Sequence, residues 1–330
     1  MTALVRAIGI RLGLAIGLLL AVVIVVFFLI QLAPGDAALY LGIQQGVGDP
    51  EYLARLRADY GLDRPLLVQL GAYVGQVAQL DLGQSTYFDR PVLDLILDRL
   101  FATVLLAGTS LLFAVVVGVA IGVFTARRPE SPTSHGVTVM SLLGFATPVF
   151  WSALMFIVIF AAGHPFSILP VGGIEDVRYN GNWLGETVDL FQHLVLPALS
   201  LGIIYLAIYS RLARASMLEV LESDYIRTAR AKGAHERVVV YKHALRNAII
   251  PVVTTVGLQV GALFSGALLV EFVFGWPGIG RLAVNSILRR DSPMLLGIMI
   301  FGSAMTIVAN LLTDLTYRLI DPRIRVGGSR

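Results

Sequence analysis

The sequence predicts an all-α polytopic membrane protein with six transmembrane helices and an extracytoplasmic lobe after the first. Three observations carry that expectation. Hydrophobic residues fill 56% of the 330 positions and charged residues only 14%, with mean hydropathy +0.79, too apolar a profile for a soluble domain. Apolar runs recur near the roughly 20 residues that a helix needs to cross a bilayer core. The cations of the short flanks gather on one side. Arg6, Arg11, Arg127, Arg128, a basic stretch at 224–251 and the tail arginines lie there, against Arg178, Arg281, Arg289 and Arg290 on the other. The richer side is the cytoplasmic one by the positive-inside rule, which puts both termini inside.

The first span is the charge-free run Leu12–Ala33, preceded by Arg6 and Arg11. It exceeds the apolar core of about 7 to 15 residues of a cleaved signal peptide, so it is expected to be retained. A polar segment from Pro34 to Arg99 follows, rich in Asp. Within it Leu66, Leu70, Tyr73, Val77 and Leu80 recur at helical spacing behind Pro65, the pattern of an amphipathic helix. Leu100–Ala126 is the second span, closed by Arg127 and Arg128. Gly136–Gly163 is the third, interrupted at Thr147-Pro148. Leu194–Ser210, short for a span, is the fourth; Arg211 and Arg214 can snorkel, and the helix is expected to continue into the loop that follows. Asn247–Val270 is the fifth and Ser292–Thr313 the sixth. The expected organisation is therefore 1–33 (first helix), 34–99 (lobe), 100–320 (a five-helix core with a cytoplasmic loop at 211–249) and 321–330 (tail).

Several chemistries are excluded or weakened by the residues themselves. There is no cysteine, hence no disulfide and no thiolate metal site. Gly278-Ile279-Gly280-Arg281-Leu282-Ala283 mimics a dinucleotide fingerprint, but the run before it is a span and not a strand of a soluble sheet. His235-Glu236 begins like a zinc motif, yet Val239 stands where the second histidine is needed. The only lysines are Lys232 and Lys242, and neither sits in a phosphate-cradling loop, so any ATP used must be hydrolysed by another polypeptide. A net charge of +3 leaves no nucleic-acid footprint. Polar residues within spans, Gln31, Thr147, Thr254, Thr255, Gln259, Ser265 and Asn310, either line a pathway or bond back to their own helices. Glu271 and Asp314 lie near span ends, close enough to an interface to avoid most of the cost of burying a charge in lipid. Gly13/Gly17, Gly118/Gly122 and Gly257/Gly261 have the spacing that lets helix backbones approach.

The basic stretch Asp224–Pro251 reads as two short helices joined at Gly233, with Asp224 expected to cap the first and Gly233 to end it. Leu221, Tyr225 and Ala229 share one face, while Arg227, Arg230 and Lys232 project elsewhere. The second helix starts near His235 and carries Lys242, His243 and Arg246 into the fifth span. From charge alone, these cations could simply meet lipid headgroups.

The order Asp224-Tyr225, Thr228-Ala229-Arg230-Ala231-Lys232-Gly233, His243-Ala244-Leu245-Arg246-Asn247-Ala248 and Pro251 resembles the "EAA" coupling loop of ABC importer permeases, in the form found in the dipeptide/oligopeptide permease family. Arg227 replaces the usual Glu and Arg246 the usual closing Pro, both typical of the peptide branch. The resemblance runs nearly end to end, through Leu32-Ala33-Pro34-Gly35-Asp36, Tyr60-Gly61-Leu62-Asp63-Arg64-Pro65, Asp81-Leu82-Gly83-Gln84-Ser85, Leu169-Pro170, Leu196-Pro197-Ala198-Leu199, Phe274–Gly280 and Asp321-Pro322-Arg323. A long lobe after the first span is similar to the B-type subunit of that family. The resemblance implies a type I ABC importer permease fold in a bacterial inner or plasma membrane. It also implies partners: a C-type permease, two ATP-binding subunits that carry ATP and Mg, and an extracytoplasmic substrate-binding protein. No cofactor is expected in this chain. The resemblance assigns ATPase coupling to Asp224, Tyr225, Arg227, Thr228, Ala229, Arg230, Lys232, Gly233, His243 and Arg246. It leaves Thr147, Thr254, Gln259, Ser265 and Asn310 as pathway candidates. Cargo in such families includes di- and oligopeptides, nickel, glutathione and oligosaccharides. The alternative is a secondary transporter or channel acting without ATPases.

Overall fold

The computed structural model describes residues 2–32, 49, 51, 54, 63–161, 168–176 and 182–320. Most of the predicted lobe before Asp63 and the tail 321–330 lie outside the described residues, as do the side chains of Ser265 and Asp314. Among the described residues the secondary structure is helical, apart from one isolated bridge between Gln84 and Pro91. Four helices are long and apolar enough to cross a membrane, and a bent pair supplies a fifth crossing if its two arms count as one. The chain divides into two compact units, Met1–Asp98 with Ala283–Leu311, and Arg99–Leu282 with Leu312–Arg330.

In the first unit, α1 (Thr2–Leu32) buries Val23, Val26 and Phe27 while most of its other apolar side chains stay exposed, as expected of a helix facing lipid. The buried stripe receives Tyr73, Val74 and Val77 of α2 (Leu66–Ala78), with Gln31 donating to Gln69 at 2.9 Å. Pro65 stands at the N-cap of α2, so the predicted lobe helix forms, but only part of its predicted face is used: Leu66 and Leu80 are exposed. Leu80 has left the helix at a positive φ. The turn after α2 is held by Asp291, a 1% exposed carboxylate that accepts from Ser85 Oγ at 2.5 Å, Thr86 N at 3.2 Å and Tyr87 N at 3.3 Å. Its other role is to accept from Met294 N, so it also caps the start of α12 (Ser292–Ile320). Gly297 admits the Val92 side chain, for a Cβ there would lie 2.4 Å from Val92 Cγ1.

The second unit is built on α3 (Val92–Ala126) and α6 (Trp183–Leu221). Gly118 and Gly122 let α3 close on α6: a Cβ on Gly122 would sit 2.6 Å from Ala213 Cβ and 2.7 Å from Ser210 O. That pair is therefore a true packing contact. A Cβ on Gly13 or Gly17 of α1 would meet nothing within 4 Å among the described residues, and the side-chain surroundings at Gly261 lie outside them. Two corrections concern the spans. The second begins at Val92, before Leu100, so α3 takes the end of the predicted lobe into its own first turns. The fourth is not short: its helix starts at Trp183, well before Leu194, and it runs on past Arg211 and Arg214 as expected, to Leu221, 39 residues in all. The third is broken as expected, α4 (Pro132–Ala146) and α5 (Val149–Phe160) meeting at 107° around Thr147-Pro148. Proline after Thr147 disfavours helical backbone at that residue, which adopts φ −80°, ψ 126°.

After α6 come α7 (Asp224–Ala231), α8 (Glu236–Val238), a π turn (Val239–Ala244), α9 (Leu245–Ala248) and α10 (Ile250–Val273). One core of the unit joins Leu106, Leu194, Leu201, Val270, Phe274 and Trp276; the other joins Val123, Tyr209, Met217, Ile226, Val239 and Val240. Between α10 and α11 (Ile279–Arg289) the chain turns sharply. Glu271, fully buried, accepts from Thr103 Oγ1 at 2.7 Å, Gly280 N at 2.7 Å and Arg281 N at 3.1 Å. Thr103 in turn accepts from Ile279 N at 2.8 Å, and Trp276 Nε1 donates to Ala102 O at 2.8 Å. The Gly278–Ala283 motif thus does open a helix whose N-terminal amides hold an acidic side chain, and that side chain is the chain's own Glu271.

Candidate functional site: the basic hairpin

α7 follows α6 after a two-residue turn. Ser223 has the extended backbone that an N-cap needs, φ −69° and ψ 152°, and its hydroxyl turns back to Val220 O at 2.6 Å. The expected cap at Asp224 is therefore corrected, since Asp224 is already the first helical residue. Its carboxylate lies 3.4 Å from Arg227 and sits where negative charge suits a helix N-terminus. Thr228 bonds back to Asp224 O.

The helix ends as expected. Gly233 takes φ +78°, Gly233 N donates to Arg230 O at 2.9 Å, and Ala234 N reaches back to Ala229 O at 3.2 Å. This pair of bonds is the Schellman arrangement, and it reverses the chain within four residues. Across the bend Arg230 donates to both carboxylate oxygens of Glu236, at 2.9 and 3.3 Å. That bond holds the Glu236 carboxyl below the ordinary carboxylate range and the Arg230 guanidinium above its own. His235 caps the next turn by accepting from Arg237 N, the role left to it once the zinc motif fails. Asn247 Nδ2 donates to Tyr225 Oη at 2.7 Å and ties the second arm to the first.

Underneath, Ile226 is the anchor. It is fully buried with Met217, Val239, Val240 and Ala244, against Val123 and Ala126 of α3. The hairpin is thus part of the same core as α3 and α6. The predicted face of Leu221, Tyr225 and Ala229 is turned less inward: Tyr225 is exposed and Ala229 half-buried. Arg227, Thr228, Arg230, Lys232 and Arg246 are exposed as expected, and His243 is half-buried within the π turn. The result is a stiff, outward-facing basic surface, suited to docking a partner.

The pathway candidates are less gathered. Thr147 Oγ1 bonds back to Leu143 O at 2.7 Å and Thr254 Oγ1 to Ile250 O at 2.9 Å. Gln259 is half-buried on α10, and Asn310 is exposed on the part of α12 that belongs to the other unit. Residues that sequence reasoning passed over are Ile226, Glu236 and Asp291. Glu236 could have been found from its opposite charge six positions after Arg230 across a glycine; Ile226 had no signal beyond being the apolar residue of a polar turn.

Helices long and apolar enough to span a membrane, joined through a basic hairpin, have the make-up of a multi-pass membrane protein. The family model for the binding-protein-dependent transport system inner membrane component matches residues 118–326, and the model for the N-terminal part of such membrane components matches 4–107. The chain belongs to that family. It is 38% identical to the dipeptide transport system permease protein DppB of Escherichia coli K12, covering 96% of this chain and 97% of that one. It is 40% identical to the di/tripeptide transport system permease protein DppB of Pseudomonas aeruginosa, with the same coverage. It is 37% identical to the oligopeptide transport system permease protein AppB of Bacillus subtilis, over 94% of this chain and 96% of that one.

Proposed function

We infer that the chain is the B-type permease subunit of an ATP-driven importer of di- and oligopeptides. It forms half of the pathway, which a C-type permease completes, while two ATPase subunits bearing ATP and Mg supply the energy and an extracytoplasmic binding protein delivers cargo. In this reading six helices cross the membrane, with the bent pair as the third span and α10 as the fifth; the termini are cytoplasmic and the lobe after α1 lies outside. The observation that carries it is the hairpin at Gly233, whose buried Ile226 shares a core with α3 and α6. A partner that grips it moves those helices, as alternating access by rocking of bundles requires. Relatives named for dipeptide, di/tripeptide and oligopeptide transport support the cargo class.

Affinity purification in mild detergent tests the assembly: a second permease and ATPase subunits should accompany the chain. Gly233→Leu tests the coupling. A side chain at φ +78° costs about 1–2 kcal/mol, so the bend should rearrange. The assembled transporter should then hydrolyse ATP with strongly reduced peptide uptake. Unaltered uptake would remove the hairpin from the coupling route.

A further inference from the structure

α4 and α6 enclose, against α3, a cleft whose chemistry peptide transport does not use. Its end nearest the hairpin is a cavity of 220 Å³, polar on one wall, lined by Thr125, Thr138, Ser141, Ser210, Arg211 and Arg214. It shares Ile121, Val137 and Ser141 with a second cavity of 270 Å³ lined by Phe113, Met140, Phe156, Ile203 and Leu206. The two form one trough, cationic at one end and hydrocarbon along the rest.

One of the two cations is poorly satisfied. Arg214, half-buried, reaches Thr138 Oγ1 only at 3.5 Å and Pro129 O at 3.4 Å, and its buried Nε has no partner among the described residues. A guanidinium offers five donors in a fixed fork, so this one is short of acceptors at normal distance. Arg211, exposed and one helical turn earlier, lies 5.1 Å over the Phe145 ring and, among the described residues, bonds its own helix through Ala207 O. Among the described residues, no carboxylate pairs with either.

An occupant must bring oxyanions to the arginines and hydrocarbon to the trough. A peptide carboxylate would satisfy the first demand but drag amides past Phe113, Ile203 and Leu206, where they would lose their hydrogen bonds to water. A free phosphate would leave the trough empty. We propose that this cleft binds one anionic phospholipid, its phosphate between Arg211 and Arg214 and an acyl chain between α3, α4 and α6. Arginine suits this, because its fork matches phosphate oxygens in pairs. The exposed Met140, Leu143 and Phe145 of α4 extend the apolar wall on which the rest of the lipid lies. The site rests on the permease reading only in assigning this end of α6 to the cytoplasmic leaflet.

The test uses the assembled transporter, delipidated in neutral detergent and titrated with phosphatidylglycerol, phosphatidylcholine or inorganic phosphate, with bound lipid read by native mass spectrometry. The wild-type complex should retain one phosphatidylglycerol. The R211Q/R214Q variant should weaken that binding roughly 30-fold, since each basic residue at a membrane surface is worth about fivefold. Gly144→Leu keeps both arginines and fills the trough; a Cβ there meets only ordinary contacts with Ile203, at 3.8 and 3.9 Å, and this variant should also lose the lipid. Equal retention of the two lipids, undiminished phosphatidylglycerol binding in either variant, or displacement by inorganic phosphate overturns the assignment. So does a lipid held by the isolated chain but excluded from the complex, which would give the cleft to a partner subunit. Partner subunits are scored in the same spectra, so loss of assembly, which counts against the permease reading, is distinguished from loss of lipid.

Discussion

Glu271 shows how one side chain can set the shape of an elbow. Its carboxylate fills the N-terminus of α11, and Gly278 and Gly280 are the residues that make room for it: a Cβ on Gly278 would stand 2.3 Å from the carboxylate, and one on Gly280 would stand 2.4 Å from Leu268 Cα. The two clashes differ in kind. A carboxylate can swing aside, whereas the backbone of α10 cannot. Gly280→Ala should therefore cost about 1–3 kcal/mol of stability and Gly278→Ala less, measured as thermal midpoints of the detergent-solubilised protein. The sequence showed half of this arrangement. What it showed was a glycine pattern that mimics a dinucleotide fingerprint; the side chain those glycines receive depends on a chain reversal after α10 and on Thr103, 168 residues from Glu271. No local pattern encodes either.

At the scale of the element, the hairpin has two possible sources of stiffness, the Arg230–Glu236 clasp and the buried Ile226. Their magnitudes separate them. The clasp side chains are 43% and 51% exposed, and exposed ion pairs are worth about 0–1 kcal/mol. Removing a buried Ile to Ala costs about 2–5 kcal/mol. Hydrogen exchange across residues 224–248 should thus rise sharply in Ile226→Ala and only slightly in Glu236→Gln. The pH dependence has a definite sign. Because the Glu236 carboxyl titrates below its ordinary value, the clasp contributes above the ordinary carboxylate pKa and is lost as pH falls through the depressed one. Exchange protection, taken relative to the intrinsic pH dependence of amide exchange, should then be flat between about pH 6 and 8 and fall only in acid. Gly233 was legible in sequence because a left-handed residue after a basic helix has one favoured identity. The upstream reach of α6 was not, because Glu186 and Asp189 precede the charge-free run while the helix passes straight through them; its passage beyond Arg211 was expected. α11 was hidden too, being short and half polar, with no uninterrupted apolar stretch to mark it.

For the molecule as a whole, the transport reading makes a demand that the chain alone should fail to meet. Reconstituted by itself in liposomes, it should not accumulate peptide under an ion gradient; accumulation would favour an autonomous carrier over a subunit. The two units each bury a core of their own, and neither holds a described cluster of residues able to bind a metal ion. The 107° break at Thr147-Pro148 bears on how such a chain enters the bilayer. Its arms, of 15 and 12 residues, are roughly 22 and 18 Å long, against a hydrocarbon thickness of about 30 Å. Neither arm can anchor itself during biosynthesis. Both rest on α6, which is made later, so stable integration of the bent pair is expected only once that helix has emerged, and truncation of the chain before Trp183 should leave the pair extractable from the membrane.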